Sequence, residues 1–115
     1  MTDFESIRLC VDKFASERDW DQFHSPKNLV MALSVEVAEL METFQWLSEQ
    51  QSMNLTPEQS VAVGHEIADV QVYLVRLADK LNIDIGAAVV AKMRINAEKY
   101  PADKVRGSSR KYTDY

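Results

Sequence analysis

The chain has 115 residues, with 13 Lys and Arg against 18 Asp and Glu, for a formal net charge of −5. That length fits one domain, and 46% hydrophobic with 27% charged residues is an ordinary globular composition, which excludes a disordered chain. No run approaches the roughly 18 apolar residues of a membrane span, and so acidic a chain is a poor electrostatic ligand for nucleic acid, whose phosphates require a basic surface. The charge is unevenly placed. From Lys92 onward there are seven basic and three acidic residues, a local +4, and the first 91 residues carry −9. Such asymmetry fits either a basic tail for nucleic acid or a site that brings carboxylates and cations to one ligand.

A single cysteine, Cys10, permits no intrachain disulfide. Asp3 and Glu5 interrupt any early apolar stretch, so no signal peptide is expected and a cytoplasmic location follows. Cys10 lies in an apolar helical pattern and is expected to be a small core residue.

Three Gly and three Pro are too few turn residues for a sandwich or barrel, so an all-α fold is expected. The first helix spans roughly Phe4 to Arg18, with Ile7, Val11, Phe14 and Ala15 at helical spacing. After an irregular stretch, Asp19 to Pro26, Ser25 can cap and Pro26 can open a second helix running to about Gln50. Thr56, Pro57 and Gln59 supply a capping box and first-turn proline for a third helix to about Leu81. Asn82 or Asp84 separates it from a fourth, from near Ile85 through Ala97, which Tyr100-Pro101 stops. Residues from about 100 onward read as an extended tail. Two long helices among four predict a small bundle forming one domain, and apolar residues on more than one helix face predict an oligomer.

Two acidic motifs stand in unexpected places. Glu36 and Glu39 lie three apart on the second helix, and Glu66 and Asp69 lie three apart on the third. At about 100° per residue, Leu29, Ala32, Leu33, Leu40 and Leu47 fall within about 60° of Glu36. Val63, Val70, Tyr73 and Leu77 surround Glu66 in the same way, whereas Glu42 and Glu49 fall on the far side of their helix. Alone, either spacing is common on solvated helices. Centred on two apolar faces, four unpaired carboxylates would cost several kcal/mol each or protonate, by the order of magnitude of burying a charge. A divalent cation removes that cost. All-oxygen ligation favours Mg²⁺ or Mn²⁺ over zinc. His65 provides no alternative, because its neighbours lack a zinc pattern and it points about 100° from the carboxylates. Mg²⁺ completes its shell with water and substrate phosphate, so a phosphorylated substrate is expected.

Lys92 and Asn96 share a face of the fourth helix and fit contact with phosphate or sugar. Arg106, Arg110 and Lys111 could add phosphate charge compensation; solvation near a helix end explains Lys92 equally well and the tail residues better. Trp20, His24, Trp46 and Tyr73, with Phe23, form an aromatic group able to stack a base. Trp20 is the most telling, since it sits in an irregular acidic stretch where no helix core demands it.

These residues resemble a family. The two acidic motifs and the Lys92-to-Asn96 spacing are similar to those of the all-α nucleoside triphosphate pyrophosphohydrolases of the MazG type. The match is closer to the branch acting on dCTP, through Arg18 to Leu29 (RDWDQFHSPKNL), Glu36 to Glu39, Phe44-Gln45-Trp46, Lys92 to Asn96 and Lys111-Tyr112-Thr113. The resemblance implies that Glu36, Glu39, Glu66 and Asp69 hold Mg²⁺, with Glu36 or Glu39 serving as general base. It further implies that Trp20, His24, Trp46 and Tyr73 line the nucleotide pocket, while Lys92 and Asn96 meet phosphate or sugar. Water would attack the α-phosphorus to release a nucleoside monophosphate and pyrophosphate, cleaning the nucleotide pool, in a dimer or homotetramer. Val11 stands where cytosine-preferring relatives carry a histidine. A relative acting on dUTP, another triphosphate or phosphoribosyl-ATP, and a non-catalytic helical oligomer, are the competing readings.

Overall fold

A computed structural model describes residues 3–109. The described residues are helical and contain no strand, in agreement with the all-α expectation. Two compact units divide the chain, one through Ile83 and one from Asp84 onward.

In the first unit, α1 spans Phe4–Glu17, capped by the Asp3 carboxylate, which accepts from the Ser6 amide at 2.8 Å. The chain then reverses through Asp19, whose φ of 54° is one that Asp tolerates better than most residues. The Trp20 amide returns to the Ala15 carbonyl at 2.9 Å, and a 3-10 turn follows over Asp21–Phe23. This turn is tied to the next helix by the Asn28 side-chain amide, which donates to the Phe23 carbonyl at 3.1 Å. Helix α2 spans Pro26–Glu42, with Ser25 as cap and Pro26 in the first turn, as the sequence predicts.

The second helix does not continue to Gln50. It stops at Glu42, where the Thr43 hydroxyl donates to the Leu40 carbonyl at 2.6 Å and the following amides form turns. Ser48 and Gln51 then form a reciprocal capping box that starts a separate short helix, α3, Glu49–Met53. Local side-chain hydrogen bonds thus divide a segment that contains no Gly or Pro. The long helix α4 spans Pro57–Lys80, with the expected Thr56–Gln59 capping box. It packs against both α2 and α1. Its buried apolar partners are few: Ala15 from α1, Leu29 from α2, and Val63 and Val75 from α4. Cys10 is exposed, contrary to the core position expected for it.

In the second unit, α5 spans Ile85–Lys99, capped by Asp84, whose carboxylate accepts from the Ala87 amide at 2.8 Å. The segment expected to be an extended tail instead forms a short helix after Pro101, α6, Ala102–Val105, closed by amides of Lys104 and Val105 on the Pro101 carbonyl. Arg106 follows it directly; Arg110, Lys111, Tyr112 and Thr113 lie outside the described residues.

Candidate metal centre and aromatic pocket

Helix α2 carries Glu36 and Glu39 and α4 carries Glu66, and the packing of these two helices brings the three carboxylates together. One oxygen from each lies within 4.8 Å of the others. Glu36 and Glu66 are half-buried, and Glu39 is exposed. The Glu36 Oε2 and Glu66 Oε2 atoms are shielded from solvent and have no hydrogen-bond partner. Burial, and then the charge of Glu39, hold both carboxyls above the usual carboxylate range. Asp69, one turn beyond Glu66, is exposed and stands outside the group of three, yet its charge also raises both. Glu42 is exposed as expected, but its charge reaches across to Glu66 on α4 and helps to raise the Glu66 pKa.

Orphaned oxygens inside an acidic cluster are the chemistry of a cation site. Two shielded carboxylate oxygens with no donor are costly in a folded chain. An all-oxygen set of this kind suits a hard divalent ion.

Two turns along α4 from Glu66, a second feature begins. Val11, Phe14 and Ala15 of α1, Trp20 and His24 of the intervening turn, and Val72, Tyr73 and Arg76 of α4 line a cavity of about 70 Å³. Its aromatic rings meet edge to face, Phe14 with Trp20 at 5.6 Å and Trp20 with His24 at 6.2 Å between centroids. Three of the five residues grouped in the sequence, Trp20, His24 and Tyr73, therefore share one pocket, and Phe23 does not line it. Trp46 does not line it; the break after Glu42 leaves it in a turn, 85% exposed. Lys92 is exposed and Asn96 half-buried on α5 of the second unit, where the Asn96 amide faces Met93 Sδ at 3.9 Å.

Arg76, which belongs to none of the motifs read from the sequence, is only 3% exposed. Its Nη1 donates to Asp12 at 2.7 Å, its Nη2 to Asp21 at 2.8 Å, and its Nε to His24 Nδ1 at 3.2 Å. Lys80 also donates to Asp21. Desolvation, followed by the positive charges of Arg76 and Lys80, lowers the His24 pKa below its ordinary value. A charge set among Leu74, Val75 and Leu77 was the visible signal, but its partners lie 52 to 64 residues away in sequence.

The first unit is thus an all-α unit in which one long helix, α4, contributes residues to both an acidic cluster and an aromatic pocket. The chain belongs to the MazG-like family, which it matches over residues 31–115. It is 46% identical to dCTP pyrophosphatase 1 of Homo sapiens over 112 residues, 96% of this chain. The Mus musculus protein of the same name matches at the same identity and coverage. The chain spans 66% of the length of these curated relatives. Among solved structures it resembles a pyrophosphatase from Archaeoglobus fulgidus, with a TM-score of 0.80 and 40% identity, covering 84% of this chain and 91% of that one.

Proposed function

We propose that the protein is a Mg²⁺-dependent nucleoside triphosphate pyrophosphohydrolase acting on dCTP or a modified dCTP, with a deoxynucleoside monophosphate and pyrophosphate as products. The observation that carries this reading is the joint display on α4 of an acidic cluster and an aromatic pocket. Glu66 and Tyr73 are seven residues apart, about 10 Å along the helix axis, a span that a nucleoside triphosphate with its base in the pocket and its phosphates at the carboxylates can bridge. The 46% identity to proteins named dCTP pyrophosphatase 1 supports cytosine as the base.

Glu36, Glu39 and Glu66, with Asp69 beside them, would hold the cation. When bound, Mg²⁺, or Mn²⁺ in its place, supplies Lewis acidity and charge neutralisation at the phosphates. The ring-lined pocket binds the base and excludes water from its faces, a stack worth about 1–3 kcal/mol per aromatic contact. Glu36 or Glu39, through a carboxylate oxygen not engaged with the cation, accepts the proton of the attacking water. Lys92 and Asn96, four apart on α5, fit contacts to phosphate or sugar, and Trp46 fits a further contact to the nucleotide.

The reading includes a principal bundle of four helices that assembles as a homodimer or homotetramer. Val30, Val37 and Met41 support this: they fall within about 40° of one another around α2 by the 3.6-residue period, and each is about half exposed. Among the described residues no helix is long and apolar enough to cross a membrane. The proposal is of a cytoplasmic enzyme cleaning the nucleotide pool.

The test is incubation of the full chain and Mg²⁺ with a panel of canonical and modified dNTPs, dUTP included, with chromatographic identification of both products. Pyrophosphate with dCMP, fastest from dCTP or its modified forms, is the expected outcome. Orthophosphate in place of pyrophosphate would sink the proposed cleavage between the α and β phosphates.

A further inference from the structure

The hydrogen bond between Arg76 and His24 has a fixed sense. A guanidinium in a protein does not give up its proton, and it has no acceptor. His24 Nδ1, 3.2 Å from Arg76 Nε, must therefore present a lone pair. An imidazolium there would set an N–H against an N–H beside two cations, Arg76 and Lys80.

We infer that Arg76 is a positioning residue that holds His24 as the neutral tautomer protonated on Nε2, so that His24 brings a pre-set hydrogen-bond donor to the aromatic pocket. The ligand chemistry that recognises such a donor is a base edge bearing an acceptor, a ring carbonyl oxygen or an unprotonated ring nitrogen. This rests on the reading of the pocket as a nucleobase site. Arg76 is itself immobilised from two directions. Asp12 reaches it from α1 and Asp21 from the 3-10 turn, at 2.7 and 2.8 Å, while Asp79 on its own helix stands at 3.8 Å. Lys80 pins Asp21 in turn.

The groups facing His24 are therefore Arg76 and Lys80 of α4, Asp21 of its own turn, Asp12 of α1 through Arg76, and the ring of Trp20. With Nε committed to His24 and its two terminal nitrogens to Asp12 and Asp21, the guanidinium works as a clamp on three elements and as a tautomer lock.

The decisive measurement is a long-range ¹H–¹⁵N correlation spectrum of the full, labelled chain without nucleotide, with His65, exposed on α4, as internal reference. His24 should show an unprotonated Nδ1 and a protonated Nε2, unchanged from pH 7.5 to 6. An Nδ1–H tautomer, or an imidazolium at pH 7, would overturn the inference whatever the substrate proves to be. In Arg76→Met, His24 should become a tautomer mixture that protonates at higher pH, and KM for the preferred dNTP should rise about tenfold with kcat within about threefold. An unchanged His24 spectrum in that variant would overturn the lock. Should Arg76→Met fail to fold, Asp12→Asn loosens the clamp from an exposed position and should move the same His24 signals in the same direction, and signals that stay put would count against the inference. If no dNTP is hydrolysed, the proposed function fails while the spectrum still decides the tautomer.

Discussion

Replacing Glu36 by Gln should stabilise the cation-free protein and weaken it relative to wild type when Mg²⁺ is present. Glu36 contributes an oxygen that lies within 4.8 Å of those of two other carboxylates, and its Oε2 is shielded and unpartnered. At that separation one like-charge pair costs about 1 kcal/mol in a water-like dielectric and about 3.5 kcal/mol at an effective constant of about 20. Because Glu39 is exposed and solvent screens the cluster, the lower figure applies to the pair it forms with Glu36. For a chain of this size, about 1 kcal/mol corresponds to roughly a 4 °C rise in Tm. Mg²⁺ acts oppositely. A cation present at about 100 times its Kd stabilises the wild type by about 2.7 kcal/mol, or roughly 10 °C. The assay is differential scanning calorimetry at one protein concentration, with EDTA and then with a Mg²⁺ series. The curves of wild type and Glu36→Gln should cross as Mg²⁺ rises. If Glu36→Gln melts below wild type in EDTA, the orphaned carboxylate does not destabilise the cation-free fold. If it keeps the full Mg²⁺ shift, Glu36 holds no cation.

Three other outcomes are expected. Glu39→Gln and Asp69→Asn, both at exposed positions, should each reduce turnover by at least a hundredfold with far-ultraviolet circular dichroism unchanged; near-normal kcat in both variants would exclude this metal site. Leu29→Ala, at the most completely buried apolar side chain, should lower stability by about 2–5 kcal/mol in urea titration, with a smaller loss showing that α2 can collapse into the space. The lowered pKa of His24 means that the unfolded chain binds its proton first, so stability is lost as pH falls from about 6.5 through the folded value. His24→Gln should flatten that slope in urea midpoints taken in EDTA at pH 7.5 and 5.5. The raised carboxyls of Glu36 and Glu66 contribute the opposite slope, so the comparison is between variant and wild type at each pH.

Where the sequence was legible, the controlling interactions were local. Ser25-Pro26 and the Thr56–Gln59 box start α2 and α4 at the expected residues because each cap is satisfied within three positions. The early end of α2 has an equally local cause. Thr43 and Ser48 offered the backbone an alternative to continuing α2, and a periodicity argument counts neither hydroxyl. The acidic cluster was readable because helical phase puts a carboxylate inside an apolar stripe without reference to any distant residue. Arg76 was not, because its meaning lies in Asp12, Asp21 and His24, which only the packing of α1 and the 3-10 turn on α4 brings together.

The sparse core and the polar sites have one physical origin. Four apolar side chains are buried among the described residues, while α4 devotes inward positions to Glu66 and Arg76. Both are charges drawn from solvent, but they are handled differently. Arg76 is met by two carboxylates and a neutral imidazole within 3.2 Å, so its burial fixes a geometry before any ligand arrives. Glu66 and Glu36 have no such partners, so their burial leaves an attraction unsatisfied until a cation supplies it. One end of α4 is thus complete in the free protein and the other is not. In the function proposed above, a pre-set base pocket beside an uncompensated anionic cluster would make productive phosphate binding conditional on a cation, and the carboxylates of that cluster are part of the net charge of −5.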